Sequence, residues 1–415
     1  MTHFLKVKTV DEVLEILGEI EPLPVEGLKL DLACRHMLAE ELRAPEPVPH
    51  FSRAVMDGYA VRARSTFGAS ETLPALLEIC GEVTMGADTS LTVEPGQAVA
   101  IPTGGMLPAG ADAVVMVEYT QLLDAQTVEV TRAVAPGENV LKQGEDIAQG
   151  EVLLPRGWRL RPQDVGMLAA LGINTVNVFR QPRVALLSTG DEIVSVSTAV
   201  LPPGKIRDVN RYSLAAEIQE MGAIVGLQAV VEDRLEALVA ACREALADHD
   251  VVMLSGGSSV GMRDFTVRVL EGFEEAELLV HGVAIRPGKP TILARIGRKV
   301  FWGLPGQPVS ALMVCRALVL PCLAVLQGMA EGCTILEVGH TRHGVLSSRL
   351  PSVHGRTDYV PVTLVREGDG FLIRPLFGKS AMISVLGRAD GYVIVPAHVE
   401  GLDAGSRVEA HLFTH

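Results

Sequence analysis

In RVALLSTGDEIV, residues 183–194, an unbroken apolar strand over 184–188 runs into the turn Thr189-Gly190-Asp191-Glu192. A run without polar alternation belongs to a strand buried on both faces, as in a parallel sheet covered by helices. The pattern recurs: residues 250–254 lead into SGGSSVG (255–261), and residues 300–304 into Pro305-Gly306-Gln307-Pro308. Between these strands lie a helical stretch at 211–221 closed by Gly222, a strand at 223–230, and a helix with Leu235, Leu238, Val239, Cys242 and Leu246 on one face. This alternation predicts an α/β sheet whose glycine turns share the carboxyl edge, where open α/β sheets bind ligands.

Outside this region the rhythm changes. Val10, Val13, Leu14, Leu17 and Ile20 recur at helical spacing, a second short helix is expected over 31–42, and Pro45, Pro47 and Pro49 stiffen the chain after it. From about 51 to 150 short β-type runs lie between glycines and prolines, 114–117 and 127–130 among them. A helix over 163–171 follows. Beyond about residue 332, strands are expected at 359–365, 371–374 and 391–395. Four structural parts result.

The chain has 415 residues, enough for two to four cores, and a formal net charge of −14. Aromatic residues are 4%, so neither base-stacking platforms nor non-specific binding to nucleic acid or anionic membranes is expected. No secretory pattern opens the sequence, and the longest apolar stretch, 311–326, contains Arg316 and Pro321. Six cysteines without a C-x-x-C pair read as buried small hydrophobes in a reducing compartment, and the expected location is the cytoplasm.

Glycine turns at one sheet edge let backbone N–H groups approach an anion. One such turn is merely tight; several on one edge favour a phosphate-type ligand. Neither nucleotide fingerprint is present: Gly378-Lys379-Ser380 ends like a P-loop, but Ile373 stands where the first glycine belongs. Asp191, Glu192, Asp208 and Asp264 flank the turns. Singly each reads as a cap or a solvated carboxylate; beside phosphate they would need a hard cation such as Mg²⁺ between them. Arg286 and Lys289 in RPGKP place two cations on a stiff turn, suited to an anionic substrate. No serine or cysteine nucleophile has sequence support.

The segments VMDGYAVRA (55–63), TGGMLPAGADAVVMVE (103–118), QGEDIAQGEVLLPRGWRL (143–160), RVALLSTGDEIV, IRDVNRYSL (206–214), SGGSSVGMRDFT (255–266), IRPGKP (285–290) and GLPGQPVSAL (303–312) together resemble the MoeA/gephyrin-E family of molybdopterin molybdenumtransferases. The resemblance spans nearly the whole chain and implies an α/β multidomain architecture. A MogA-like, mixed but mostly parallel sheet domain (1–24 and 181–330) would carry a discontinuous linking domain (25–44 and 151–180), an inserted mostly-β domain (45–150) and a C-terminal β-barrel-like domain (331–415). It implies a homodimer whose cleft is shared between subunits, with Mg²⁺ as cofactor and molybdate and adenylylated molybdopterin as substrates. A MogA-like molybdopterin adenylyltransferase upstream and molybdoenzyme maturation proteins downstream are the implied partners.

Carried over by position, the implied catalytic residues are Asp57, Thr103, Asp146, Glu192 and Asp264, with Glu192 and Asp264 as Mg²⁺ ligands. Implied substrate and anion contacts are Thr189, Gly190, Ser255, Gly256, Gly257, Ser259 and Gly261 at the first two turns. Arg286, Lys289, Pro305, Gly306 and Pro308 follow, with Arg356 and Ser380 from the C-terminal module. Position 286 is Arg where relatives often carry Lys, which turns a point charge into a planar fork. The alternatives are a MogA-like adenylyltransferase, a non-catalytic molybdopterin-binding scaffold, and a tungsten-inserting version.

Overall fold

The computed structural model describes residues 7–256, 262–329 and 340–413, the side chains of Met262, Arg263 and Asp264 excepted. Gly257, Ser259 and Gly261, the Asp264 carboxylate and Cys333 therefore lie outside the described residues.

The central sheet has six strands in the order Ile224–Val231, Arg183–Thr189, Val251–Gly256, Lys299–Leu304, Ile292–Ile296, Ala276–His281. The first four are mutually parallel, and Ile292–Ile296 pairs antiparallel with both Lys299–Leu304 and Ala276–His281, so it alone runs against the other five and the sheet is mixed with a parallel majority. Both faces are covered. Trp302 packs with Val184, Met253 and the helices Val10–Gly18 and Asn210–Glu220 on one side. Its neighbour Phe301 packs with Ala185, Leu254 and the helix Leu235–Asp248 on the other. That two-sided burial is why these strands read as continuous apolar runs.

From Arg183–Thr189 the chain crosses outward to Ile224–Val231 and then returns past its starting strand to Val251–Gly256. The strand order thus reverses between Thr189 and Gly256, which makes the crevice beyond their carboxyl ends a topological switch point. The first helix begins with a reciprocal cap: Glu12 N–H donates to Thr9 Oγ1 (3.2 Å) and Thr9 N–H to Glu12 Oε2 (2.7 Å). The segment Pro308–Leu326 is long and apolar enough to cross a membrane, with a mean hydropathy of 2.3, but 89% of it is buried inside the protein. It is the core helix of this domain, and it passes through a π-helical turn at Cys315–Val319.

The helix expected over 31–42 is absent. Only a 3₁₀ turn, Leu30–Leu32, forms there. Arg35 then takes φ 72°, and the backbone N–H groups of Arg35, Leu38 and Ala39 donate to Leu160, Trp158 and Asn177 carbonyls. Tertiary bonds have taken the donors a helix would have used. The strand Val25–Lys29 pairs with Thr175–Phe179, and Leu42–Arg43 with Val152–Leu154, so two distant stretches of chain share one core around Leu38, Leu160 and Leu168.

Between them, residues 58–130 contribute a six-stranded sheet ordered Ala113–Met116, Gly58–Val61, Gln97–Ile101, Ala75–Glu82, Thr127–Val130, Thr120–Leu122. Near the C-terminus Thr357–Glu367, Gly370–Pro375, Thr341–Leu346, Arg407–Leu412 and Gly391–Val395 close into a five-stranded barrel, the last strand pairing back on the first. The short strand Ile285–Arg286 from the sheet domain joins the barrel, pairing with Thr357 and Asp358. The cationic turn that follows it is thereby docked on the barrel.

Cys242, Cys315 and Cys322 are buried, and burial pushes the Cys242 and Cys322 thiols up to about 12. Cys34 and Cys80 are only partly buried, which corrects the expectation for those two.

Candidate active site

Three turns meet at the switch point. Gly190 has φ 148°, and a Cβ there would stand 2.7 Å from Glu192 Oε2, so the turn folds the Glu192 carboxylate back over its own glycine. A Cβ on Gly256 would stand 2.0 Å from the Thr189 carbonyl oxygen; only glycine lets the two strand ends approach this closely. Asn210, buried at its helix start, donates from Nδ2 both to Ser255 Oγ and to the Gly306 carbonyl, each at 2.8 Å. It therefore ties the second turn to the third. Thr189 Oγ1 donates to Asp233 Oδ1 at 3.3 Å, placing a further carboxylate at this edge.

Asp208 is a correction. Its carboxylate is almost fully buried and paired with Arg211 Nε at 3.1 Å, and its Oδ1 accepts from the Arg211 backbone N–H. It fixes the helix start and is taken up by Arg211 rather than open to a metal ion. Among the described residues no three His, Cys, Asp or Glu side chains form a metal cage. Mg²⁺ needs none, since one or two carboxylates and substrate phosphate oxygens suffice, and Glu192, folded over Gly190, with Asp233, held on Thr189, supplies carboxylates of that kind at one turn.

A cleft of about 890 Å³ opens between this edge and the barrel. It brings together Gly256, Arg286, Lys289, Pro305, Gly306, Arg356 and Ser380; Pro308 sits between lining residues Gln307 and Val309. Thr189, Gly190, Ser255 and Glu192 lie beside it rather than in its wall. Its charged lining residues are Arg286, Lys289, Arg356, Lys379 and Asp358: four cations against one carboxylate, in a chain of net charge −14. Asp358 is buried and accepts from Arg356 Nε (2.6 Å) and Nη2 (3.0 Å), with Arg286 Nη1 at 3.6 Å. Arg286 itself remains 62% exposed, and neither the Lys289 nor the Lys379 ammonium has a partner among the described residues. The positive charge is uncompensated, as an anion site requires.

The barrel wall is fastened to the sheet edge. Ser380 Oγ donates to Gln307 Oε1, and Val309 N–H donates to the Ser380 carbonyl at 3.1 Å. The RPGKP turn is equally constrained: Gly288 has φ 122°, a Cβ there would lie 2.3 Å from Val314 Cγ2, and Thr291 Oγ1 donates to the Gly288 carbonyl at 2.7 Å. Gly288→Ala is expected to cost about 1–3 kcal/mol by overpacking and to weaken anion binding by shifting Arg286 and Lys289. Thermal melts with and without phosphate check both parts.

Asp57 and Thr103 form a second constellation, and Asp146 stands on a loop tied to the segment that leads into it. The Asp57 Oδ1 accepts from the Thr103 backbone N–H (2.6 Å) and hydroxyl (2.8 Å). These two bonds, the backbone one first, hold the Asp57 carboxyl below its ordinary range although it is exposed. The Thr103 and Asp146 loops both fasten onto the segment before Asp57: Gly104 N–H donates to the Ala54 carbonyl and Asp146 N–H to that of Val48. None of the three lines the 890 Å³ cleft of its own chain.

Sequence reasoning missed Asn210, Asp233, Asp358 and Lys379. Asn210 stands in the quoted IRDVNRYSL and Lys379 in the P-loop-like GKS, so both were visible as residues but not as site members.

Three family models match this chain in sequence: the MoeA N-terminal region (domain I and II) over residues 8–172, the family described as "Probable molybdopterin binding domain" over 185–325, and the MoeA C-terminal region (domain IV) over 343–413. The molybdopterin molybdenumtransferase of Bacillus subtilis is 33% identical over 394 residues, 93% of this chain and 89% of the relative. That of Haemophilus influenzae is 37% identical over 332 residues, 78% of each chain. The crystal structure of a molybdopterin biosynthesis MoeA protein from Pyrococcus horikoshii superposes with a TM-score of 0.81 at 38% identity, over 99% of this chain and 100% of that one.

Proposed function

This chain belongs to the MoeA family, and we propose that it is a molybdopterin molybdenumtransferase: it takes molybdenum from molybdate onto the dithiolene sulfurs of adenylylated molybdopterin and releases AMP. The observation that carries this reading is the cleft with four cations against one carboxylate, set beside the switch point of a molybdopterin-binding-type sheet. Both substrates are anions, and in a chain of net charge −14 this cleft carries an excess of positive charge.

In this reading backbone N–H groups of the glycine turns at Gly190, Gly256 and Gly306 donate to phosphate oxygens, with Asn210 holding two of the turns in register. Arg286, Lys289 and Arg356 bind and orient the anions. Glu192, with Asp233 and Asp264, would hold Mg²⁺, which supplies charge neutralisation at the phosphoanhydride. Asp57, Thr103 and Asp146 act from the partner subunit of a homodimer; their absence from their own chain's cleft supports that assignment. The pairing of 25–29 with 175–179 and the closed barrel support the domain boundaries stated above. A cytoplasmic setting, with a MogA-like adenylyltransferase upstream and maturation proteins downstream, completes the proposal.

The test is reconstituted turnover with adenylylated molybdopterin, Mg²⁺ and micromolar molybdate, following AMP and metal retained on the pterin. Molybdate-dependent AMP release is the expected result, and parallel tungstate runs fix the oxyanion preference. Binding without AMP release would overturn the reading in favour of a scaffold, and ATP consumption without molybdate in favour of an adenylyltransferase. Chelation with EDTA is expected to reduce AMP release to background and added Mg²⁺ to restore it.

A further inference from the structure

Phe377 lines the cleft on its barrel side and is 64% exposed. The backbone on either side of it is held. Leu376 N–H donates to the Pro361 carbonyl at 2.8 Å, and Gly378 packs so closely on the helix Ile383–Arg388 that a Cβ would meet Val385 Cγ2 at 2.6 Å. The ring is therefore presented from a fixed frame. The other ring among the described lining residues, Tyr359, is 4% exposed and packs against Tyr392 at 5.6 Å. In a chain with only 10 Phe, 5 Tyr and 2 Trp, one exposed aromatic face stands in the wall that also carries the unpartnered Lys379 and Lys289.

A free aromatic face beside uncompensated cations matches a ligand that combines a flat heteroaromatic ring with a phosphate. The cleft volume of about 890 Å³ is within the range of sites that enclose such a molecule. We propose that Phe377 is the stacking platform for the pterin ring of the substrate, with Lys289 and Lys379 taking its phosphate. The inference rests on the reading under Proposed function and adds a substrate-binding residue to it. Among the described residues the ring belongs to no core cluster, and its flanking residues make the packing and hydrogen-bond contacts.

The experiment measures binding of 6-hydroxymethylpterin monophosphate by its fluorescence anisotropy, and of inorganic phosphate by calorimetry, to the wild-type protein and to Phe377→Ala, Phe377→Leu and Phe377→Trp. Alanine is expected to weaken the pterin probe roughly tenfold or more, as aromatic truncation does at stacking sites. Phosphate affinity should stay unchanged. Leucine, which keeps apolar area without a π face, should behave like alanine, and tryptophan should match or exceed the wild type. Alanine or leucine binding the probe as tightly as phenylalanine would overturn the proposal. So would an equal loss of phosphate affinity, which would mean that the substitution deforms the cleft. Because the probe needs no turnover, a wild-type protein that binds it but releases no AMP would count against the transferase reading alone.

Discussion

Arg316→Ala is expected to destabilise the protein by about 3–5 kcal/mol, because it leaves a buried carboxylate unpaired. Arg316 is 9% exposed and donates from Nε and Nη2 to Glu217 Oε1 at 3.0 and 2.7 Å. Its remaining donors reach the carbonyls of Leu412 (3.4 Å) and Phe413 (2.9 Å), and the guanidinium lies 4.7 Å from the centre of the Phe413 ring. One side chain thus joins the helix Asn210–Glu220 to the last strand of the barrel, across the junction that forms the cleft. The π-helical turn that contains Arg316 is the local departure that places it there.

The pH dependence follows from the sign of the Glu217 shift. Burial raises its carboxyl above the ordinary value of 4.5, and Arg316 only partly opposes that. A raised acid binds its proton more readily folded than unfolded, so stability falls as pH rises through the folded value. Without Arg316 the shift grows. The deficit of the variant should therefore be smallest near pH 5, where Glu217 is most protonated, and largest near pH 8. Urea titrations at the two pH values check this. The double variant Arg316→Met, Glu217→Leu should recover much of the loss. A single-variant deficit under about 1 kcal/mol, the value of an exposed pair, would sink the assignment.

The sheet was legible in the sequence because burial on both faces leaves a signature inside each strand: Val184 to Leu187 needs no knowledge of its neighbours to read as core. The glycine turns were legible for the same local reason. The cleft was not. It exists because Ile285–Arg286 pairs with Thr357 and Asp358, and no periodicity announces a pairing between segments so far apart in the chain. Asp358 carries two arginines there, yet in sequence it is one acidic residue in an apolar strand. The missing helix over 31–42 failed likewise: local spacing was helical, but carbonyls from residues 158–177 claimed its donors. Asp208 differs, since its partner Arg211 lies three residues on, and the cap they form was readable beside the carboxylate reading.

Asp57→Asn is expected to lower molybdate-dependent AMP release on the order of 10²–10⁴-fold, the span typical for a positioned acid–base group. Two donors on one oxygen hold this exposed carboxylate ionised and leave its other oxygen free to act. Thr103→Ala removes the hydroxyl donor but keeps the backbone one. The Asp57 carboxyl should then rise toward its ordinary range, and the acid limb of the pH–rate profile should move to higher pH. The cross-subunit assignment has a sharper test. Asp57→Asn and Arg286→Ala chains, each nearly inactive alone, are co-expressed and purified together. If Asp57 serves the partner's cleft, each mixed dimer has one site with both residues intact and one with neither. Random pairing makes half the dimers mixed, so the mixture should regain about a quarter of wild-type turnover. If both residues served the same cleft within one chain, every site in every dimer would lack one of them. No activity would return, and the constellation at Asp57 would need another role.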